Sequence, residues 1–280
     1  MPTQGSIIAV TSLAREAFIA RGHGVTVVCC PSSRLGSALS SAIVPGVLGI
    51  ISFGIAGGLD PDLVAGDWVV ASAVRNGNNA IATDSKWTQE LFRRLPGAVL
   101  ADIVGSDELV VNSSHKSHLY RTTGAAAVDM ESHIAAEIAA MHDIPFACCR
   151  VIIDSAHRTL PAATALALHP NGTVDVLGVM RSILQTPSQL PGLIRTAFDA
   201  CIAERALRKG RKWLGLGYGS PFVSERFVER EFVGQSDVSK DFLRPLPWIR
   251  LAFRFVAISR PRAVRLKRRH IGQLRVQNVP

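Results

Sequence analysis

Three carboxylates and one glycine run carry most of the chemistry this sequence could do. Glu16 stands in Thr11-Ser12-Leu13-Ala14-Arg15-Glu16, just after the short apolar run Ser6–Val10. Glu131 stands in Ala127-Val128-Asp129-Met130-Glu131-Ser132. Asp154 follows the apolar run that ends Val151-Ile152-Ile153, and it leads into Ser155-Ala156. A carboxylate at the end of a buried strand is costly unless something binds it or uses it. Taken alone, each also reads as a helix-start charge or a solvated residue; together they point to acid–base work. Gly54-Ile55-Ala56-Gly57-Gly58 follows another apolar run, Val47–Phe53. Glycines at that place let a ligand approach the backbone and would offer free N–H groups to an oxyanion. Their spacing matches neither GxGxxG nor GxxxxGK[ST], which argues against a dinucleotide or nucleoside triphosphate.

The remaining candidates are weaker. His115-Lys116-Ser117-His118 sets two imidazoles three residues apart, but no third ligand accompanies them, so no metal is expected. The same stretch reads as a polar loop in which Ser114 and Lys116 could contact an anion. His157 and Arg158 follow Asp154 closely enough to line one pocket with it. There is no GxSxG and no cysteine–histidine nucleophile pair. Five cysteines, two pairs of them adjacent (Cys29-Cys30 and Cys148-Cys149), lie without a CxxC; they read as reduced, buried thiols. Gly215, Gly217 and Gly219 open no strand-to-helix unit and read as a linker.

Chemistry of this kind needs a scaffold. Short β-branched runs at Ser6–Val10, Gly24–Cys30, Val47–Phe53, Asp67–Ala73, Ala98–Val104 and Ile144–Ile153 read as strands. Helical stretches separate them at Leu13–Arg21, Arg34–Ile43, Trp87–Leu95 and Val128–Met141; Val174–Leu184 and Gln189–Leu207 follow. Continuous apolar strands lose their alternation when both faces are covered. The expected fold is therefore α/β: three layers, with a mixed, mostly parallel central sheet flanked by helices. Such sheets bind ligands beyond the carboxyl ends of their strands, which is where the three carboxylates and the glycine run fall.

Composition narrows the rest. The chain has 280 residues, 48% of them hydrophobic, too apolar for a disordered protein. No apolar run approaches the roughly 20 residues of a membrane-spanning helix, and the first residues lack a signal peptide's basic region, so a cytoplasmic location is expected. The net charge of +9 is unevenly spread. Residues 1–204 carry 13 basic and 17 acidic residues, a net −4; residues 205–280 carry 18 and 5, a net +13. The expected organisation is a catalytic domain over 1–208 and a basic extension over 209–280. In that extension Pro247–Ile258 mixes aromatics with Arg250 and Arg254, and Arg260–Arg275 is densely basic. This could lie on an anionic membrane surface. No helix-turn-helix, zinc-finger or RNA-binding signature supports the rival reading, a nucleic-acid-binding arm.

The motifs, taken in order, resemble one family. Gly54-Ile55-Ala56-Gly57-Gly58-Leu59 with the Gly66-Asp67 turn, then Val128-Asp129-Met130-Glu131-Ser132, then Ile153-Asp154-Ser155-Ala156 resemble the purine nucleoside phosphorylase and nucleosidase superfamily over about residues 5–207. Thr11–Glu16, Ser52–Pro61 and Arg158-Thr159-Leu160-Pro161 look most like its bacterial hopanoid-associated phosphorylases, which are similar to methylthioadenosine/S-adenosylhomocysteine nucleosidases. Ser12 stands where glycine is expected. The resemblance implies release of adenine from an adenine nucleoside, with lipid-linked adenosylhopane as substrate, inorganic phosphate as co-substrate, no other cofactor, and a homo-oligomer. It implies Asp154 as the acid toward the purine, Glu131 as ribose binder, and Glu16 beside the nucleophile. Met130, Gly54, Ile55, Ala56, Gly57 and Ser155 are implied to line the substrate. Glu16 suits water, since a carboxylate repels phosphate unless a cation pairs with it; the resemblance suits phosphate. The residues leave that choice open.

Overall fold

A computed structural model describes residues 6–161 and 190–223. All of these belong to the first of the chain's two units, Met1–Ser236; the second is Asp237–Pro280. The strands are β1 (Ser6–Thr11), β2 (Val25–Cys29), β3 (Val47–Gly58), β4 (Trp68–Asn76), β5 (Asn79–Ala82), β6 (Val99–Gly105), β7 (Ala127–Asp129) and β8 (Phe146–Asp154). The helices are α1 (Ala14–Ala20), α2 (Ser32–Ala42), α3 (Ser85–Arg94), α4 (Ser113–Thr123), α5 (Ser132–Met141) and α6 (Leu190–Leu214).

β1 lies between β2 and β3, parallel to both. β3 is parallel to β8, and its last residues pair antiparallel with β7. β4 runs parallel to β6 and antiparallel to β5 and β8, while β6 is parallel to β7. The strands β3, β8, β4, β6 and β7 thus close on themselves, with β3 paired to β1, β7 and β8.

Both faces of this sheet are covered. Neighbouring residues alternate between faces: Ile8, Ile50 and Cys148 join one core, whereas Ile7, Ile51 and Cys149 join the other. The first core takes Leu35 and Leu39 of α2 and Ala135 and Ala139 of α5. The second takes Ile19 of α1, Trp87 and Leu91 of α3, and Ala203 and Leu207 of α6. This double burial explains why the strands read as unbroken apolar runs. The expected three-layer α/β fold is the one observed.

Several local expectations are corrected. The helix expected over Val128–Met141 begins later: Ala127–Asp129 is a strand, and Glu131 caps α5. The stretch around His115–His118 is not a loop but part of α4. The Gly54–Gly58 run does not follow β3; it forms the end of it. Cys29 is exposed at the end of β2 rather than buried, and all five cysteines are free.

The boundary expected at 208 falls inside α6, and residues to 223 pack on the body. Leu214 and Tyr218 are fully buried. The Tyr218 hydroxyl donates to Ala20 O at 2.7 Å, its ring meets Phe53 edge-on at 5.1 Å, and Trp87 Nε1 donates to Tyr218 O at 3.0 Å. The 215–219 segment is therefore a packed closure, not a linker. Gly210 allows this, because a Cβ there would sit 2.2 Å from the Trp68 ring. The expected helix over 174–184 and the aromatic and basic segments of 247–275 lie outside the described residues. No helix among the described residues is long and apolar enough to cross a membrane.

Candidate active site

The register between β3 and β8 builds the site. It sets Arg150 beside Gly54 and Asp154 beside Gly57. On the other side of β3, Gly57 pairs with Val128 of β7, so the Asp129-Met130-Glu131 segment arrives next to the same strand end. Glu16 comes from the first turn of α1, directly after β1.

At Gly54 three carboxylates gather around one guanidinium. Arg150 is fully buried. Its Nε lies 2.6 Å from Asp129 Oδ2, an ion pair not aligned for a hydrogen bond, and its Nη2 lies 3.5 Å from Glu131 Oε2. Nη2 also donates to Ser52 Oγ at 2.6 Å and to Ser132 Oγ at 3.2 Å. Nη1 has no hydrogen-bond partner among the described residues. It lies 2.5 Å from where a Cβ on Gly54 would sit, as does Glu16 Oε1. Only glycine lets the two groups approach the strand this closely.

Glu16 is held from both ends. Oε2 accepts the Ser12 and Leu13 N–H groups at 3.1 and 3.0 Å, the reach-back of an N-terminal glutamate, and Oε1 accepts the Ile55 N–H at 2.8 Å. One N–H of the glycine run is therefore spent on Glu16 and is not free for an oxyanion. Burial pushes the Glu131 carboxyl up to about 7; Arg150 works against this, while Asp129 and Glu16 add to it. Burial also opposes the Arg150 charge, but Asp129 and Glu131 hold its pKa above the ordinary arginine value.

At Gly57 the arrangement differs. Asp154 is buried, and its Oδ1 lies 3.5 Å from where a Gly57 Cβ would be. Its Oδ2 pairs with Lys116 Nζ. Burial raises the Asp154 pKa, and Lys116 and Arg158 pull against that rise.

The structure thus brings Glu16, Glu131, Gly54 and Ile55 together, and sets Asp154, Gly57 and half-buried Ser155 at the next turn of the same strand pair. Ala56 is buried, between Gly54 and Gly57 in sequence, and half-buried Met130 stands between Asp129 and Glu131 of the first cluster. His157 is exposed, and Arg158 turns to Asp199 and Thr196 of α6. His115, Ser114 and His118 are exposed on α4. Among the described residues no group of histidines, cysteines and carboxylates could hold a metal ion. Sequence reasoning missed Arg150 and the role of Lys116. The signal for the first was a lone arginine inside the apolar run Ile144–Ile153.

The model of the phosphorylase superfamily matches residues 11–181, well over half of the chain. No curated protein matches the sequence. Among solved structures, the chain is similar to a Helicobacter pylori 5'-methylthioadenosine/S-adenosyl homocysteine nucleosidase (15% identity, TM-score 0.53, covering 75% of this chain and 96% of that one). It is also similar to the native futalosine hydrolase of Helicobacter pylori strain 26695 (14% identity, TM-score 0.51, the same coverage of each). These likenesses show a shared fold. The matched segment spans the β1–α1 corner, the glycine-ended β3 and both charged clusters on β8, and by that match the chain belongs to the phosphorylase superfamily, as an enzyme of its nucleoside phosphorylase and nucleosidase kind.

Proposed function

We propose that the protein breaks the N-glycosidic bond of an adenine nucleoside and releases adenine. The observation that carries this reading is the pair of buried charged clusters that β8 sets against the end of β3, one at Gly54 and one at Gly57. Cleavage builds positive charge on the sugar and negative charge on the base. Asp154, whose pKa burial raises, gives a proton to the purine N7 through Oδ1. Glu131 binds the ribose hydroxyls and stabilises positive charge at the anomeric carbon. Met130 packs on the sugar, and Glu16, fixed by three backbone N–H groups, orients the nucleophile.

Two observations support water as that nucleophile. Asp129, Glu131 and Glu16 outnumber the one arginine among them, and the Ile55 N–H is already taken. A dianion is poorly matched to such a place. The sequence resemblance supports a second reading, phosphorolysis of adenosylhopane. One assay separates them: chromatography of free adenine after incubation with methylthioadenosine or adenosylhopane, with and without inorganic phosphate. Release that ignores phosphate supports hydrolysis, and release that needs phosphate replaces it with phosphorolysis. No adenine from either nucleoside overturns the reading.

On the same reading the enzyme forms a homo-oligomer, and its basic tail, at net +13 over residues 205–280, touches an anionic membrane surface. Sedimentation and flotation of the full chain with anionic liposomes test both; a monomer, or a chain that stays with the aqueous phase, contradicts them.

A further inference from the structure

α4 has a single buried residue, and it is a lysine. Lys116 is 0% exposed. An ammonium has three N–H donors, and Lys116 uses all three on one short segment. Nζ donates to Asp154 Oδ2, to Ser155 O at 3.1 Å and to Arg158 O at 3.2 Å. No donor is left for a substrate anion, so Lys116 serves the carboxyl. It also sorts the two carboxyl oxygens. Oδ2 is bound, whereas Oδ1 accepts no hydrogen bond from the described residues and faces Gly57 at the strand end. A buried ion pair adds little to stability over a well-packed apolar substitute, so fold stability alone does not account for a lysine here.

Resting on the reading that Asp154 is the acid, we propose that Lys116 is a positioning residue acting through Asp154: it holds Oδ2 and stores the proton that Oδ1 passes to the leaving base. As the bond from the anomeric carbon to N9 breaks, its electron pair goes to the purine. N7 takes a proton from Asp154, and Asp154 takes one from Lys116, which is left as a neutral amine. The nucleophile adds to the anomeric carbon and loses its proton to solvent, from which Lys116 is recharged. An isolated carboxyl is a useful acid only below its own pKa, even where burial raises that value. The pair keeps a transferable proton into more alkaline solution.

Among the described residues, few other charges act there. Arg158, from the segment after β8, is the other cation among the described residues that acts on Asp154, and it is itself tied to Asp199 of α6. β3 and β7 present Gly57 and Val128, neither of which titrates.

The test is the pH profile of kcat/KM for adenine release from methylthioadenosine, measured for the wild type, Lys116→Met, Lys116→Arg and Asp154→Asn. Lys116→Met leaves a buried carboxyl that still holds its own proton in acid. It is expected to match the wild type in acid and to lose activity at lower pH than the wild type does, a shift of at least one unit in the alkaline limb. Lys116→Arg still binds Oδ2 but does not release a proton, so it is expected to be at least about tenfold below the wild type across the profile. A Lys116→Met profile parallel to that of the wild type, or a Lys116→Arg variant with the wild-type profile, overturns the proposal. If Lys116→Met shows no cooperative unfolding transition, the Lys116→Arg profile decides alone. An Asp154→Asn variant as active as the wild type removes the acid itself. An inactive Asp154→Asn beside a Lys116→Met like the wild type removes only the role of Lys116.

Discussion

Arg150 and Asp154 lie on one face of the same strand, four residues or about 13 Å apart, yet the clusters around them are opposites. Around Arg150, one cation serves Asp129 and Glu131, with Glu16 against the same glycine. Around Asp154, one carboxylate has one ammonium, fully satisfied. The first cluster has an excess of negative charge, so one of its carboxyls, Glu131, is pushed up toward neutrality. The second is balanced, one ammonium to one carboxylate. On the proposed function, the first meets the electron-poor sugar and the second the electron-rich leaving base. Charge count, more than the identity of any one residue, tells the two clusters apart.

The comparison can be broken most directly at its acid end. Asp154→Asn keeps an oxygen for Lys116 but has no proton to give, so adenine release should fall about 10²–10⁴-fold; a rate within a few-fold of the wild type would remove the distinction. At the other end, Arg150→Met leaves Asp129 and Glu131 buried without their cation. Unpairing a buried charge costs about 3–5 kcal/mol, to be read from urea denaturation, and an unchanged midpoint would mean that the cluster is not held by charge.

Glu131 gives a finer test. Its folded value of about 7 lies above the ordinary 4.5, so the folded protein prefers it protonated. The stability this confers is complete below about pH 4.5 and is lost as pH rises through about 7. Glu131→Gln, neutral at every pH, should flatten the stability curve over that window; a wild-type slope there would contradict the assigned shift. Tyr218→Phe serves as a control at a side chain whose contacts, Phe53 and Ala20, belong to neither cluster. It removes the hydrogen bond to Ala20 O, should cost about 1 kcal/mol of stability, and should leave adenine release unchanged.

The strands were readable because double burial produces apolar runs, and Glu16, Glu131 and Asp154 were readable because acids at such strand ends are conspicuous. What escaped was set by contacts between distant segments. Arg150 sits inside a strand and acquires meaning only when β7 brings Asp129 and Glu131 against it. Lys116 lies in a polar stretch whose helical phase, invisible in composition, turns that one residue inward. β7 is three residues long, too short to show a period, and so merged with the helix after it. The glycines at 215–219 suggested a linker because their burial depends on Trp87, Phe53 and Ala20, all more than a hundred residues away.

The central claim is that the two clusters together release adenine. The most direct measurement is a time course of free adenine from methylthioadenosine and from adenosylhopane with the full chain, in the presence and absence of phosphate. Multiple turnovers to free adenine are expected from at least one of the two, with no requirement for phosphate. Both nucleosides recovered intact at enzyme concentrations that would show a single turnover would contradict it.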